Sequence, residues 1–490
     1  MNENFDLPLV HTGVPGLDTV LGGGLPELSF NIVGGPPGSG KTTFAQQIMF
    51  SLAGPNRKAL FFTAMGEPPI KMLRYQQQFS FFDFDKVDSS IQFISLAAEV
   101  EGGNYDDVLA QICEAVRLHS PALVFIDSFR SFVEGAKGAD REVHALQAFV
   151  QQLVTQMTGW QATTFLIGEY LINEADRNPI FTVADGIIWL TQNVHRNAMV
   201  RKLQVLKMRG LKHRPGLHTF RINRGGLEVF PRIIPAPEPA GGPGRGESRK
   251  GRLSMGVPKL DQMLGGGIPI GYSMLLVGPS GCGKTMLATE FLAEGARCGE
   301  KSVIALFEKS PSQMMNDQLD IMVSSGQVAL LNVRTLDVSV DETLHELVQM
   351  IDSTNATRVV LDSLSGFELA LAPEFREDFR ESLYRMTTVL SEKGVTLLMT
   401  SELEDRFTDF RFSSYGNSFL VDAIIVQRFI EWQAQLKTII SVVKVRGSAH
   451  SRDLRCFDIT DQGIVIGDGP APYGDILLGG TSGPAANPAL

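Results

Sequence analysis

The sequence contains the phosphate-loop pattern G-x-x-x-x-G-K-[ST] twice. The first copy is Gly-Pro-Pro-Gly-Ser-Gly-Lys-Thr at 35–42, and the second is Gly-Pro-Ser-Gly-Cys-Gly-Lys-Thr at 278–285. Each copy follows an apolar run and precedes residues with the apolar spacing of a helix, which is the strand, loop and helix context that the pattern requires. In such a loop the backbone N–H groups point at phosphate oxygens, so each copy predicts a nucleotide-phosphate site.

A longer repeat surrounds the two loops. The word Gly-Val-Pro-Gly-Leu-Asp at 13–18 returns as Gly-Val-Pro-Lys-Leu-Asp at 256–261, at the same separation as the loops. A repeat of this length predicts two homologous modules rather than the units of a small solenoid. We expect a first domain at 1–233, a Pro/Gly-rich linker at 234–254, a second domain at 255–470 and a flexible tail at 471–490.

Composition and charge restrict the class of protein. The chain has 490 residues, 43% of them hydrophobic and 20% charged, which is typical of globular domains. The net charge of −10 disfavours broad binding to nucleic acid, and no run of about 18 apolar residues predicts a membrane span. The N-terminus lacks a signal sequence and the four cysteines lack metal-ligand spacing, so we expect a reducing, cytoplasmic location.

The order of apolar segments predicts the fold class. Within each module, buried strands alternate with amphipathic helices after the phosphate loop. This alternation predicts an α/β fold in each module, with a mostly parallel twisted sheet and helices on both faces.

The loops and two later strands supply the residues for phosphate and metal binding. Thr42 and Thr285 are the expected metal ligands, so ATP and Mg²⁺ are the expected cofactors. Asp127 and Asp362 end apolar strands in the Walker B pattern, and we expect these catalytic carboxylates to bind the metal through water or to hold the Thr hydroxyl. The alternative for both is a strand-end cap. Our interpretation assigns phosphate binding to Gly38, Ser39, Gly40, Lys41, Thr42 and Thr43 in module one, and to Gly281, Cys282, Gly283, Lys284, Thr285 and Met286 in module two.

Hydrolysis also needs a carboxylate that orients water and cations that stabilise the transition state. Glu67 and Glu308 follow the strand after each loop helix and are the candidate carboxylates. The alternative for each is a solvated loop residue. Candidate cations lie in a second repeated word, with Lys207, Arg209 and His213 in module one and Lys444, Arg446 and His450 in module two. The alternative for these is a solvated basic hairpin.

From about Thr12 to Gly467 the chain resembles the KaiC family of circadian-clock ATPases, a branch of the RecA-like fold, which implies tandem RecA-like P-loop NTPase domains. The resemblance rests on the paired phosphate loops, the Gly-Val-Pro-x-Leu-Asp motifs, the Walker B strands and the two basic motifs. The resemblance implies a homohexamer with ATP held between neighbouring subunits, so that the basic words would reach a neighbour's nucleotide. It also implies a slow ATPase in the first tier and a second tier that transfers phosphate to its own Ser and Thr residues. A small clock-type regulatory protein is the partner class that it implies.

Three departures from the family pattern qualify the resemblance. The family's tandem Glu-Glu is split, because module one keeps Glu67 alone and module two keeps Glu308 alone. The family's Ser-Thr phosphorylation pair aligns with Ser418-Phe419, which leaves one acceptor. The extension through which clock members bind an activating partner has no counterpart here, so we do not expect dependence on that partner.

Three functions remain open from the sequence. The first is a ring-forming ATPase with serine autokinase activity at Ser418, in signalling or timing. The second is a RecA-like, nucleic-acid-stimulated ATPase, which is disfavoured because a Lys/Arg-rich segment occurs only at 245–252 in the linker. The third is a nucleotide-gated scaffold with vestigial hydrolysis, which the split Glu pairs favour.

Overall fold

The computed structural model describes residues 7–64, 69–101, 105–128, 148–149, 151–153, 155–157, 159–170, 179–195, 198–235, 251–307, 317–333, 338–371, 373–376, 379–403, 420–432, 435–460 and 463–469. The chain divides into two compact units, Met1–Arg232 and Ile233–Leu490. Among the described residues, no helix has the length and apolar composition needed to cross a bilayer.

The first unit alternates strands and helices. Its strands are β1 (Leu9–Val10), β2 (Leu25–Pro26), β3 (Phe30–Gly35), β4 (Ala59–Thr63), β5 (Ile91–Ser95), β6 (Leu123–Asp127), β7 (Thr163–Glu169), β8 (Gly186–His195), β9 (Ala198–Met208), β10 (His218–Asn223) and β11 (Gly226–Phe230). Its helices are α1 (Leu17–Leu21), α2 (Lys41–Leu52), α3 (Pro69–Gln76), α4 (Ala97–Glu101), α5 (Tyr105–His119) and α6 (Pro179–Val183), with a 3₁₀ turn at Phe84–Lys86 and further helical residues between 148 and 159.

The second unit repeats this alternation. Its strands are β12 (Arg252–Leu253), β13 (Ile268–Pro269), β14 (Ser273–Gly278), β15 (Ser302–Leu306), β16 (Val328–Asn332), β17 (Arg358–Asp362), β18 (Thr396–Glu402), β19 (Ala423–Trp432), β20 (Gln435–Val445), β21 (Arg455–Thr460) and β22 (Gly463–Ile466). Its helices are α7 (Pro258–Met263), α8 (Lys284–Arg297), α9 (Asp317–Ser324), α10 (Val340–Thr354), α11 (Leu364–Ala370), α12 (Pro373–Arg376) and α13 (Phe379–Glu392).

Each unit is built on one large sheet of the same topology. Among the described residues, the first sheet has the order β11-β10-β9-β8-β3-β7-β6-β4-β5, and the second has the order β22-β21-β20-β19-β14-β18-β17-β15-β16. Strands β5, β4, β6, β7, β3 and β8 are parallel, and β9 to β11 continue the sheet as an antiparallel meander. The predicted α/β class with a mostly parallel sheet is therefore confirmed, because parallel strands need the crossover helices that the sequence pattern indicated.

Helices cover both faces of each sheet. In the first unit, Phe61 and Phe125 pack on the face that carries α1 and α2, whereas Phe62 and Val124 pack on the face that carries α5. Adjacent strand residues therefore enter two separate cores, as the alternation of a strand requires. The second unit has the same pair of cores, one with α8 and one with α10, α11 and α13.

The repeated Gly-Val-Pro-x-Leu-Asp word closes a loop on its own aspartate. Asp18 Oδ1 accepts hydrogen bonds from the Thr12 backbone N–H at 2.9 Å and the Thr12 hydroxyl at 2.7 Å. Asp261 accepts the corresponding pair from the Met255 N–H at 2.8 Å and the Ser254 hydroxyl at 2.6 Å. The aspartates are thus structural, and they fix the segment that precedes each phosphate-loop strand.

The end of the expected linker belongs to the second unit. Arg252–Leu253 forms β12, which pairs antiparallel with β13, and the Arg252 guanidinium donates to the carbonyls of Leu264 and Gly267. Residues 236–250 of the expected linker and the expected tail at 471–490 lie outside the described residues.

A buried arginine links three parts of the second unit. Arg358, at the start of β17, is 1% exposed and pairs with Glu300 at 2.9 Å. It also donates to the carbonyls of Ser254 and Phe291 and lies 4.6 Å from the Phe291 ring centroid. Burial acts to raise the pKa of Glu300, but hydrogen bonds from Arg358 and Thr357 outweigh burial and hold that pKa below its ordinary value.

Arg358→Ala should therefore destabilise the second unit by about 3–5 kcal/mol, because it leaves Glu300 without its buried partner. The measurement is urea unfolding followed in the transition of the second unit. The matched control is Lys393→Ala, which removes a cation from the pair with Asp352 whose side chains are 31% and 59% exposed, and which should cost less than about 1 kcal/mol. Equal losses in the two variants would contradict the structural role of Arg358.

Candidate functional site

Both phosphate loops lie at the carboxyl edge of their sheets, between β3 and α2 and between β14 and α8. The last loop glycines, Gly40 and Gly283, have φ angles of 96° and 93°, which favour glycine. A Cβ added at these positions would lie 2.7 Å from Ile222 Cδ1 and 2.8 Å from Ile459 Cδ1. The meander strands β10 and β21 therefore press against the loops and leave room for glycine only.

The loop lysines are buried against their own loops. The Lys41 ammonium donates to the Pro36 carbonyl at 2.8 Å, and the Lys284 ammonium donates to the carbonyls of Gly278 at 2.9 Å and Pro279 at 2.8 Å. Burial lowers the pKa of Lys41, and the carboxylates of Glu169 and Asp127 oppose this shift. The lysines are thus held where an incoming phosphate would meet them.

A hydrogen bond joins each loop helix to the Walker B strand. The Thr42 hydroxyl donates to Asp127 Oδ2 at 2.7 Å, and the Thr285 hydroxyl donates to Asp362 Oδ2 at 2.8 Å. The two partners of each pair come from distant parts of the sequence. In both modules the structure therefore brings the predicted threonine to the predicted Walker B aspartate, with the aspartate holding the threonine hydroxyl.

The surroundings of the two aspartates differ. Asp362 is 3% exposed, and its second oxygen accepts a hydrogen bond from Thr400. At the equivalent position of β7, module one has the apolar Ile167. Burial raises the pKa of Asp127 to about 6, against the hydrogen bond from Thr42 and the charge of Lys41.

A cavity of about 410 Å³ opens on the first loop. It is lined by Gly38, Gly40, Lys41, Thr42, Thr43, Thr63, Met72, Asp127, Ser128, Glu169 and Ile222. The polar lining comes from the loop and from the ends of β4, β6 and β7, and this is the crevice where open α/β sheets bind ligands. Five of the predicted residues of module one, together with Asp127, thus line one cavity.

The second phosphate loop differs from the first in the side chain that is buried under the loop backbone. Ser39 and Cys282 occupy equivalent loop positions and are both fully buried. The Cys282 thiol lies 3.4 Å from Gln427 Oε1, and burial raises the pKa of this thiol. Within the described residues, the Ser39 hydroxyl has no hydrogen-bond partner. Met286 is partly buried and packs on the core around α8.

The two basic motifs, which begin at Lys207 and Lys444, lie at the edge of each sheet opposite to the phosphate loop of the same module. The Arg209 N–H donates to the Asp185 carbonyl, and the Asp185 N–H donates to the carbonyl of Phe30, the first residue of β3. The Lys207 ammonium donates to the Thr182 carbonyl at 2.9 Å, and Arg209 pairs with Asp185 at 3.1 Å. The structure therefore does not bring this word to its own phosphate loop.

Module two repeats this arrangement. The Lys444 ammonium donates to the Val421 carbonyl at 2.7 Å, and Arg446 lies 3.5 Å from Asp422. Burial lowers the pKa of both Lys207 and Lys444, each with its neighbouring arginine as a second cause. His213 Nδ1 and His450 Nε2 are buried without a hydrogen-bond partner in the described part of the chain.

Some predicted residues lie outside the described residues, and some described ones were not predicted. Glu67, Glu308 and Ser418 belong to the first group, so their assignments stay predictions. Glu169, Thr400 and Ile222 belong to the second group, because no short motif marks them. The duplication contains one signal that could have identified Glu169. Glu169 and Glu402 both end the strand that lies beside the strand before the phosphate loop.

Comparison with known proteins identifies one protein family over both modules. A family model described as the KaiC ATPase matches residues 10–233 and 253–471. The chain is 25% identical to the circadian clock oscillator protein KaiC of Parathermosynechococcus lividus, with 98% of this chain and 89% of the relative aligned. It is 26% identical to the circadian clock protein KaiC3 of Synechocystis, with 98% and 95% aligned.

The raised pKa of Asp127 makes a prediction about stability. Because the folded pKa of about 6 exceeds the unfolded value of 3.8, ionised Asp127 weakens the nucleotide-free fold above pH 6, and this penalty disappears as the pH falls towards 4. Asp127→Asn should therefore stabilise nucleotide-free module one at pH 8 by up to about 3 kcal/mol, with a gain that shrinks as the pH falls.

The measurement is thermal unfolding of nucleotide-free wild type and variant between pH 4 and pH 8. The exposed Asp88→Asn controls for the change in net charge. A stability difference between Asp127→Asn and wild type that does not vary with pH would contradict the prediction.

Proposed function

Because the chain belongs to the KaiC family of ATPases over both of its modules, we propose that each module binds ATP with Mg²⁺ and that the chain assembles into a homohexameric ring. The observation that carries the proposal is the duplicated arrangement of loop lysine, threonine and Walker B aspartate. In both modules the threonine and aspartate are already hydrogen-bonded, at 2.7 and 2.8 Å. Hydrolysis at a site of this kind relies mainly on positioning and electrostatics.

The residues present fit a magnesium ion. A hydroxyl and a carboxylate are oxygen donors of the kind that Mg²⁺ prefers, and the carboxylate supplies negative charge. Thr42 with Asp127, and Thr285 with Asp362, would hold the ion in the two modules. When bound, it would neutralise charge on the β- and γ-phosphates. Lys41 and Lys284 would exchange the loop carbonyls for phosphate oxygens, and Glu67 and Glu308 would orient the attacking water.

The position of the basic words supports assembly. Each word lies at the sheet edge away from its own loop, and the side chains of Arg209 and Arg446 are 58% and 64% exposed. An exposed arginine that cannot reach its own nucleotide is suited to stabilise a nucleotide on a neighbouring subunit. We therefore assign Lys207, Arg209 and His213, and Lys444, Arg446 and His450, to the neighbour's phosphates.

Mixing of two inactive variants tests the shared site. In a Lys284→Ala background that disables module two, Lys41→Ala disables the loop of module one and Arg209→Ala disables the donated cation. Each variant alone should lose ATP turnover. An equal mixture should regain turnover at about a quarter of its interfaces, because those combine an intact loop with an intact cation from different chains.

Native mass spectrometry of the same samples with Mg·ATP supplies the control, since it reports ring size and nucleotide count. We expect hexamers with nucleotide at the intact loops. Mixed hexamers without recovered turnover would exclude the shared site, and a monomer that binds no nucleotide would exclude the function itself.

We also propose that Ser418 accepts phosphate from ATP bound in module two. Its support is the alignment with the family's phosphorylated pair, so the test is direct. After incubation with Mg·ATP, intact-mass measurement should show one added phosphate on wild type and on the nearby control Ser414→Ala, and none on Ser418→Ala. An unmodified wild type, or a modified Ser418→Ala, would exclude an autokinase at this residue.

A further inference from the structure

We propose that Glu169 is a catalytic residue of module one that binds the water attacking the γ-phosphate, and that Glu402 has this role in module two. This inference rests on the proposed ATPase function and adds a carboxylate from a different strand to Glu67 and Glu308. It starts from the cavity on the first loop, where Glu169 and Asp127 are the acidic side chains in the described lining.

The backbone holds Glu169 directly beside the phosphate loop. Glu169 ends β7 and pairs with Gly35, the first residue of the loop pattern. The next residue fixes this register, because the Tyr170 N–H donates to the Gly35 carbonyl. Module two has the same contacts, since Glu402 pairs with Gly278 and the Leu403 N–H donates to the Gly278 carbonyl. Each module thus places a glutamate at the same point of its loop.

The side chain of Glu169 shares a face with the metal-binding aspartate. Along β7, Phe165 and Ile167 pack on the α2 side of the sheet, and Glu169 follows at the same alternation. Along β6, Phe125 packs on the α2 side and Asp127 follows in the same way. Because Asp127 pairs with Ile167, Glu169 lies two residues further out, or about 7 Å along the strand.

This offset separates the tasks of the two carboxylates. Asp127 is hydrogen-bonded to Thr42 at the inner level, where the metal would be held. Glu169 stands at the outer level, and it lines the same cavity as Lys41. Since Lys41 must contact the β- and γ-phosphates, a carboxylate close to Lys41 but above Asp127 faces the γ end of the triphosphate.

A carboxylate that faces a phosphate repels it unless a water molecule lies between them. The attacking water supplies that bridge. Its oxygen forms a bond to Pγ while the bond from Pγ to the bridging oxygen breaks, and that electron pair leaves with ADP. The proton of the water passes to the Glu169 carboxylate and reaches solvent when phosphate departs. A positioned carboxylate of this kind contributes about 10²–10⁴-fold to the rate.

The test uses the full chain with Lys284→Ala, so that module one alone turns over ATP. Glu169→Gln keeps the shape of the side chain and removes its proton-accepting charge. We expect kcat to fall at least about tenfold while ADP binds as tightly as before or more tightly. Glu169→Asp should recover part of the rate.

The matched control is Glu27→Gln, which neutralises an exposed glutamate at the other end of β3 and should leave kcat unchanged. Turnover by the Lys284→Ala parent with an unchanged kcat in Glu169→Gln would overturn this inference alone. A parent that binds ATP without hydrolysing it would overturn the inference together with the ATPase assignment of module one. A fall in kcat that follows loss of ADP binding or of thermal stability would also overturn it.

Discussion

The hydrogen bond between the first turn of the loop helix and the end of the Walker B strand is the contact on which each site depends. In module one it joins Thr42 to Asp127, and in module two it joins Thr285 to Asp362. The loop helix follows β3 or β14, and the Walker B strand is β6 or β17. The hydrogen bond therefore spans the strand that lies between them in the sheet, which is β7 or β18. The contact fixes the hydroxyl and the carboxylate relative to each other, which reduces the conformational freedom that a ligand binding to both groups would have to remove.

Around this shared contact, the two modules have diverged through buried polar groups. Module two adds Thr400 to the aspartate, Gln427 beneath the loop and Arg358 at the start of β17. The equivalent positions of module one are Ile167, Leu190 and Leu123, which are all buried in its cores. An aspartate held by two threonines has less freedom to move than one held by a single threonine. The modules thus share the threonine–aspartate pair but differ in how firmly the surrounding interior holds it.

Much of the fold and half of the site could be predicted from the sequence because both depend on local patterns. The P-loop words, the apolar runs and the terminal aspartates at 127 and 362 gave the sheet class, the loop residues and the Thr–Asp pairs. Glu169 could not be predicted in the same way, because its role depends on which strand lies beside β3. That neighbour is β7, which is more than 120 positions away in the chain. Pairing between distant strands leaves no short motif.

The buried substitutions between the modules affect how the two halves of the gene can exchange sequence. Recombination between the repeated segments would copy part of one half over the other. A transferred arginine at position 123 would enter an apolar interior, and Arg358 replaced by leucine would leave Glu300 unpaired. Each exchange would therefore destabilise the unit that receives the foreign residue, so these two buried positions are not interchangeable between the halves.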